Sequence, residues 1–220
     1  METIQCVKCP SLSTISGSEG KNVAYCDKCY KEMLTHKFRS ALGKRRVFKD
    51  GASKEALVIV DGSPSSVFLM GQITDAIKLN PHQRLVMEPT IVMIVSSTVD
   101  GVMARVSDGQ KQVIHLASVL RPFDQKLLEK DRDADDEMNR LVALLSSCKS
   151  STSREELKRI LKERLMIRLS SELNLNTILV SDCADDLARL SLSSLCIGRG
   201  AQISDMTGGV EKRKGLVTVV

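Results

Sequence analysis

The sequence has no apolar run near the ~20 residues that a membrane-spanning helix needs. Its first ten residues, METIQCVKCP, have no basic head and no apolar core, so they do not read as a secretory signal. These two absences argue for an intracellular, cytoplasmic protein with no membrane partner. No internal repeat is visible. What remains is a chain of 220 residues, 42% hydrophobic and 27% charged. Those values suit one α/β domain with a small appendage.

The formal charge is +5, and its placement matters more than its size. Residues 1–54 hold 11 Lys and Arg against 5 Asp and Glu, whereas the remainder holds 21 against 22. The positive excess lies wholly in the first quarter, which points to an anionic partner there, nucleic acid first. The basic residues Lys37, Arg39, Lys44, Arg45 and Arg46 fall in a short helix-like segment and its tail, residues 31–49. The alternative is a solvated basic surface.

Four of the seven cysteines form two knuckles, CVKC (Cys6, Cys9) and CDKC (Cys26, Cys29), 16 residues apart. A C-x2-C turn aims two thiolates at one ion, and two such turns close a tetrahedral site with no open position. Glycines 17 and 20 suit the turn between the knuckles. The segment is too small and polar to bury a core of its own, so metal binding would supply its folding energy. Structural zinc is the expectation, with a redox pair as the alternative. Cys148, Cys183 and Cys196 read as small packing residues. An iron–sulfur centre built from cysteines remains open.

Beyond a linker at 50–54, strand-like and helix-like stretches alternate. Strands are expected at 56–60, 90–95, 112–119, 177–181 and in the closing GLVTVV. Helices are expected at 65–79, ended by Asn80-Pro81, and at 124–146, 153–173 and 184–197. Ser153 would cap the third of these, and Gly198 would end the fourth. Short strands, apolar on both faces, imply a parallel sheet covered by helices. The expected domains are 1–54, the knuckles and basic helix, and 55–220, an α/β domain. The chain ends on a bare strand, so the second domain is expected to be incomplete at its C-terminus.

The segment DGSPSS (61–66) follows the first strand and opens the next helix. Free N–H groups at a helix start favour an anion, and small residues would let a phosphate approach. This is no Walker A loop, because the lysine and the glycine spacing are missing. An ordinary corner capped by Ser65 or Ser66 is the alternative.

The segment resembles the PP-loop of ATP pyrophosphatases, S-G-G-x-D-S. Gly62 and Ser66 match, Ser63 and Ser65 replace the second glycine and the acid, and Asp61 replaces the first serine. SDCADDLARL (181–190) is similar to the later G-H-N-A-D-D-x-x-E-T motif of thiolating PP-loop enzymes, matching at Ala184, Asp185 and Asp186. Together with the knuckles, HKFRSALGK (36–44) and LCIGRG (195–200), these stretches resemble the non-catalytic subunit family of the cytoplasmic tRNA 2-thiolation complex.

The resemblance implies a PP-loop-like (adenine nucleotide alpha hydrolase-like) α/β fold. It implies a degenerate nucleotide site at Gly62, Ser63, Ser65, Ser66, Asp185 and Asp186, with no catalytic residue and with ATP binding left open. It implies tRNA as a partner, contacted by the basic residues above and by Arg199. The other implied partners are a paralogous catalytic subunit and, through the complex, a ubiquitin-like thiocarboxylate sulfur carrier. The reaction would be 2-thiolation of the wobble uridine in tRNAs for Lys, Glu and Gln. Two other readings stand beside it: an active ATP-dependent tRNA adenylase or thiolase, and a zinc-ribbon interaction scaffold.

Overall fold

The computed structural model describes residues 4–16, 20, 23–44, 47–48, 53–78, 87–96, 111–128, 134–213 and 216–219. The expected turn glycine at 17, Arg45, Arg46 and the Asn80-Pro81 stop lie outside them. The chain divides into two compact units, Met1–Asp50 and Gly51–Val220.

The first unit pairs two short antiparallel strands, β1 (Ile15–Ser16) and β2 (Ala24–Tyr25), followed by helix α1 (Asp27–Lys44). Neither strand is legible in the sequence, because two residues carry no periodicity. Thr14 Oγ1 donates to Asp27 Oδ1 at 2.5 Å, tying the hairpin to the first turn of α1. The small core consists of Cys6, Tyr25 and Cys29, with Val23, Tyr30 and Met33 against them.

The second unit runs β3 (Glu55–Val60), α2 (Pro64–Lys78), β4 (Glu88–Val95), β5 (Lys111–His115), α3 (Ala134–Ser146), α4 (Ser151–Glu172), β6 (Thr177–Leu179), α5 (Ala184–Cys196), α6 (Ile203–Thr207), β7 (Val210–Arg213) and β8 (Leu216–Val219). The six strands form one sheet in the order β5-β4-β3-β6-β8-β7. All neighbours are parallel except the β7–β8 hairpin. The parallel sheet with covering helices is therefore the one expected, with β7 added at its edge.

The strands are buried on both faces. Leu57, Ile59, Val92 and Ile94 pack with Leu141, Leu161, Leu165 and Leu169 of α3 and α4. Alternate residues Ala56, Val58, Val60, Met93 and Val95 are buried outside that cluster, as the two-residue period of a strand requires. The helix α2 buries Leu69, Ile73 and Ala76.

Several expected boundaries shift for local reasons. The third strand stops at His115, whose Nδ1 accepts the Ala117 N–H at 3.0 Å and turns the chain into a 3-10 helix, Leu116–Leu120. The long helix begins at Ser151, capped by Ser150, whose Oγ accepts the Ser153 N–H at 3.0 Å. The helix expected from residue 124 begins at Ala134. Residues 121–128 form turns, with several of their carbonyls engaged by α4. Arg168 of α4 donates to the carbonyls of Arg121, Pro122 and Gln125, each at 2.6 Å, and to Glu172 at 3.2 Å. Arg121 in turn makes a buried ion pair with Glu137 of α3 at 2.8 Å.

The topology fixes where a ligand can sit. From β3 the chain moves outward through β4 to β5, then crosses to β6 on the other side of β3. Loops leaving the carboxyl ends of β3 and β6 diverge, and a crevice opens at such a switch point.

Candidate functional site

In the first unit the four sulfur atoms of Cys6, Cys9, Cys26 and Cys29 lie within 4.8 Å of one another. The knuckle turn and the start of α1 bring them together, and the Cys9 and Cys26 sulfurs are 3.6 Å apart. Four thiolates at about 2.3 Å from one tetrahedral ion would be spaced in this range. The Lys8 N–H points at Cys6 Sγ, 3.5 Å away. Backbone donation, from Cys26 first, brings the Cys6 thiol down to about 6. The Cys26 thiol and burial push Cys29 up to about 12. Crowded thiols of this kind ionise together only around a cation. The four-cysteine group thus fits a metal ion. It is the only such group of metal-ligating side chains among the described residues.

The remaining cysteines do not join it. Cys183 and Cys196 are exposed and Cys148 is half-buried. The two exposed thiols are therefore not the packing residues expected, since they sit at the cap and last turn of α5, away from the core.

In the second unit a cleft of about 730 Å³ opens at the β3/β6 switch point. The loop after β3 forms one wall. Gly62 takes φ +79°, the left-handed region where a Cβ is strained, and so turns the chain sharply. Ser63 then caps α2, its Oγ accepting the Ser66 N–H at 3.2 Å, and Pro64 takes the first helical position. The cap is thus Ser63, neither Ser65 nor Ser66. Ser66 is buried and donates to the Ser63 carbonyl at 2.9 Å, whereas the Ser65 and Ser63 hydroxyls are 3.0 Å apart.

Asp61 follows β3 at the mouth of this loop. Its Oδ1 accepts the Ser63 N–H at 3.1 Å, and its Oδ2 accepts from Lys162 of α4 at 3.0 Å. Burial alone would raise its pKa, but Lys162 and the Ser63 donors bring it down to about 2.

The start of α5 forms the second wall. Asp186 accepts the Cys183 N–H at 3.2 Å and pairs with Arg189 at 2.5 Å. Burial, with the Asp186 and Asp61 carboxylates, holds Asp182 above the usual carboxylate range, and Lys162 and Arg189 offset this in part. Helix α4 supplies the third wall, with Glu156, Arg159 and Lys162. Arg199 reaches the cleft because α5 closes in a Schellman turn. Gly198, at φ +78°, donates to the Leu195 carbonyl and Arg199 to that of Ser194, and the Arg199 guanidinium then meets Glu156.

Of the expected nucleotide residues, Ser63, Ser65 and Asp186 line the cleft. Gly62 shapes the turn and Ser66 lies beneath it, whereas Asp185 is exposed outside the lining. Of the expected tRNA contacts, Lys37 is exposed and Arg39 half-buried on α1, and Lys44 is that helix's last residue. Arg199 lies in the other unit. The α4 side chains Glu156, Arg159 and Lys162 had no motif to reveal them. They reach the cleft only through the crossover that lays α4 along the sheet.

No protein-family profile matches the chain. It is 34% identical to Cytoplasmic tRNA 2-thiolation protein 2 of Caenorhabditis briggsae over 97% of this chain and 65% of that protein. The same identity holds for the Caenorhabditis elegans protein of that name, over 98% and 65%. The Danio rerio protein of that name is 24% identical over 98% of this chain and 54% of its own length. The chain thus spans less than two thirds of these relatives' length. Among solved structures, the U34-tRNA thiolase NcsA from Methanococcus maripaludis with its [4Fe-4S] cluster matches all of this chain and 67% of its own, with a TM-score of 0.65 at 17% identity. The chain shares its α/β fold with that thiolase. Across nearly its whole length, the chain is similar in sequence to the proteins named cytoplasmic tRNA 2-thiolation protein 2.

Proposed function

We propose that this chain acts as an accessory, non-catalytic subunit in 2-thiolation of the wobble uridine of cytosolic tRNAs for Lys, Glu and Gln. It binds tRNA and a paralogous PP-loop partner that carries the active site, and sulfur reaches the complex on a ubiquitin-like thiocarboxylate carrier. Residues 1–54 serve as the metal-binding, tRNA-facing part and 55–220 as the PP-loop-like part. The names of the relatives support the tRNA assignment.

One observation carries the non-catalytic reading. The loop at the switch point has Ser65 where an active PP-loop has an acid, and its mouth residue Asp61 is held by Lys162. A hydroxyl at position 65 supplies no charge for magnesium and pyrophosphate chemistry. The basic first quarter fits a phosphate backbone: contacts from Lys37, Arg39 and Lys44 to Arg46 give affinity with little sequence choice.

The metal is zinc in this reading. A single ion suits sulfurs within 4.8 Å of one another, whereas a four-iron cubane puts a body of metal and sulfide between its thiolates and spreads them farther.

The test is binding of an unmodified tRNA transcript over a salt series, with ATP turnover followed in parallel. The expected result is salt-dependent binding, weakened in a Lys37→Glu/Arg39→Glu variant, with the salt slope falling by about 1 per lost phosphate contact. The chain alone turns over no ATP. Turnover by the chain alone would overturn the non-catalytic reading, and absence of tRNA binding would overturn the assignment of tRNA.

A further inference from the structure

The cleft is rich in cations, yet each of the four lining it is engaged by a carboxylate of the same chain. Lys162 holds Asp61 at 3.0 Å, Arg159 holds Glu156 at 2.9 Å and Arg189 holds Asp186 at 2.5 Å. Arg199 holds Glu156 as well. Three of these pairs stay on α4, on α5 or between α4 and the α5 turn. The Lys162–Asp61 pair differs, because it crosses the cleft and joins α4 to the loop after β3. There Asp61 also accepts a backbone N–H of the turn that opens α2. An ammonium and a backbone N–H converging on one oxyanion group are the donors a phosphoryl group takes in such a loop. The anion they hold here is internal.

We propose that Asp61 is a built-in anion that fills the phosphate position of the cleft and keeps it closed to polyphosphates. The proposal rests on reading the cleft as a nucleotide site that has lost its chemistry. It adds that the loss is enforced by an occupant, beyond the missing acid at Ser65. The Asp61 carboxyl, held at about 2, is ionised throughout the physiological range, so the occupant stays charged. A polyphosphate entering the cleft would have to displace Asp61 from Lys162 and meet its freed charge at short range, where repulsion is strong.

The geometry makes the occupant separable from the shape of the loop. In Asp61→Asn the amide oxygen can still accept the Ser63 N–H, so the turn is kept while the charge is removed. Lys162, which also faces Asp182, then loses its cross-cleft carboxylate and can meet an external anion.

The test is calorimetric titration of inorganic tripolyphosphate, with and without magnesium, into the intact chain, Asp61→Asn and Asp61→Asn/Lys162→Met. The expected result is no saturable binding to the natural chain. Asp61→Asn binds, with an affinity roughly tenfold or more above any trace seen in the natural chain, and added salt weakens it. Removing Lys162 as well abolishes that binding. Two outcomes would overturn the proposal: binding to the natural chain as tight as to Asp61→Asn, or no binding to a folded Asp61→Asn. Asp61→Ser, a smaller residue that also frees Lys162, decides the matter if the asparagine variant does not fold. Failure here leaves the accessory-subunit reading standing, since that is decided separately by tRNA binding and ATP turnover.

Discussion

Lys162 and Asp61 stand 101 residues apart in the chain and 3.0 Å apart in the fold. Their pair ties the middle of α4 to the carboxyl end of β3, across the point where strand order reverses. Its energetic signature has a definite sign. The folded-state pKa of Asp61, about 2, lies below the ordinary carboxylate value, so its stabilisation is present above pH ~4. It is lost as pH falls from there toward 2. Asp61 is partly open to solvent, so the contribution is about 1 kcal/mol after allowance for screening. Urea unfolding at several pH values should show the natural chain losing stability relative to Asp61→Asn between pH 4 and 2. Parallel curves for the two proteins would show that the pair contributes nothing.

Arg168 is the second long-range tie. Its guanidinium is buried and gathers three carbonyls of the stretch before α3 along with Glu172. Replacing it by leucine removes that donor from all three carbonyls, and breaking a buried charge cluster from one side costs about 3 kcal/mol or more. A large drop in the denaturation midpoint is expected. Lysine should recover only part of it, because an ammonium cannot reach four acceptors in one plane. An unchanged midpoint in Arg168→Leu would mean that water replaces the guanidinium.

These two ties also mark where the sequence stops being informative. The strands are legible because ALVIV and TIVMIV are apolar on both faces, a pattern fixed by local residue order. The knuckles are legible because thiolate chemistry constrains spacing within a few residues. Lys162 and Arg168 belong to a charged helix whose periodicity says only that it is amphipathic. Which polar residue of α4 meets the β3 loop, and which one stops a helix from forming at residue 124, is decided by the crossover from β5 to β6. The degenerate loop could be recognised from DGSPSS, yet its occupant could not, because the partner of Asp61 lies on a different element.

The four-cysteine group should hold one zinc ion per chain, measured by elemental analysis of metal-loaded protein. Removing the metal with a chelator should collapse hydrogen-exchange protection in the first unit, where little apolar core exists, and leave β3 and β4 protected. Cys29→Ser should lose stoichiometric metal. A brown chromophore with iron in place of zinc would overturn the zinc assignment.

Gly198 should be sensitive to substitution for a backbone reason alone. A Cβ there meets nothing within 4 Å, but φ is +78°. Alanine is therefore expected to cost about 1 kcal/mol, through the left-handed conformation and without a clash. Asparagine, which tolerates that region, should cost less. Equal stability of all three would indicate that the turn relaxes to another form, and Arg199 would then lose its place beside Glu156.

Asp182 gives the opposite pH signature to Asp61. Burial, with Asp186 and Asp61 nearby, raises its folded-state pKa. A raised carboxylate pKa means the folded state favours the protonated form. The stability it contributes is thus fully present below the ordinary carboxylate range and is lost as pH rises through the elevated value. At neutral pH the ionised group opposes folding. Asp182→Asn should accordingly raise the melting temperature at pH 7, only slightly because the side chain is exposed to solvent, and the gain should shrink as the buffer is taken below pH ~4. A destabilised Asp182→Asn at neutral pH would reverse the assignment and show that Lys162 and Arg189 hold Asp182 as a partner. Asp61, Glu156, Asp182 and Asp186 would then all be held by cations of the cleft, whereas the expected gain marks Asp182 as the strained charge of the four.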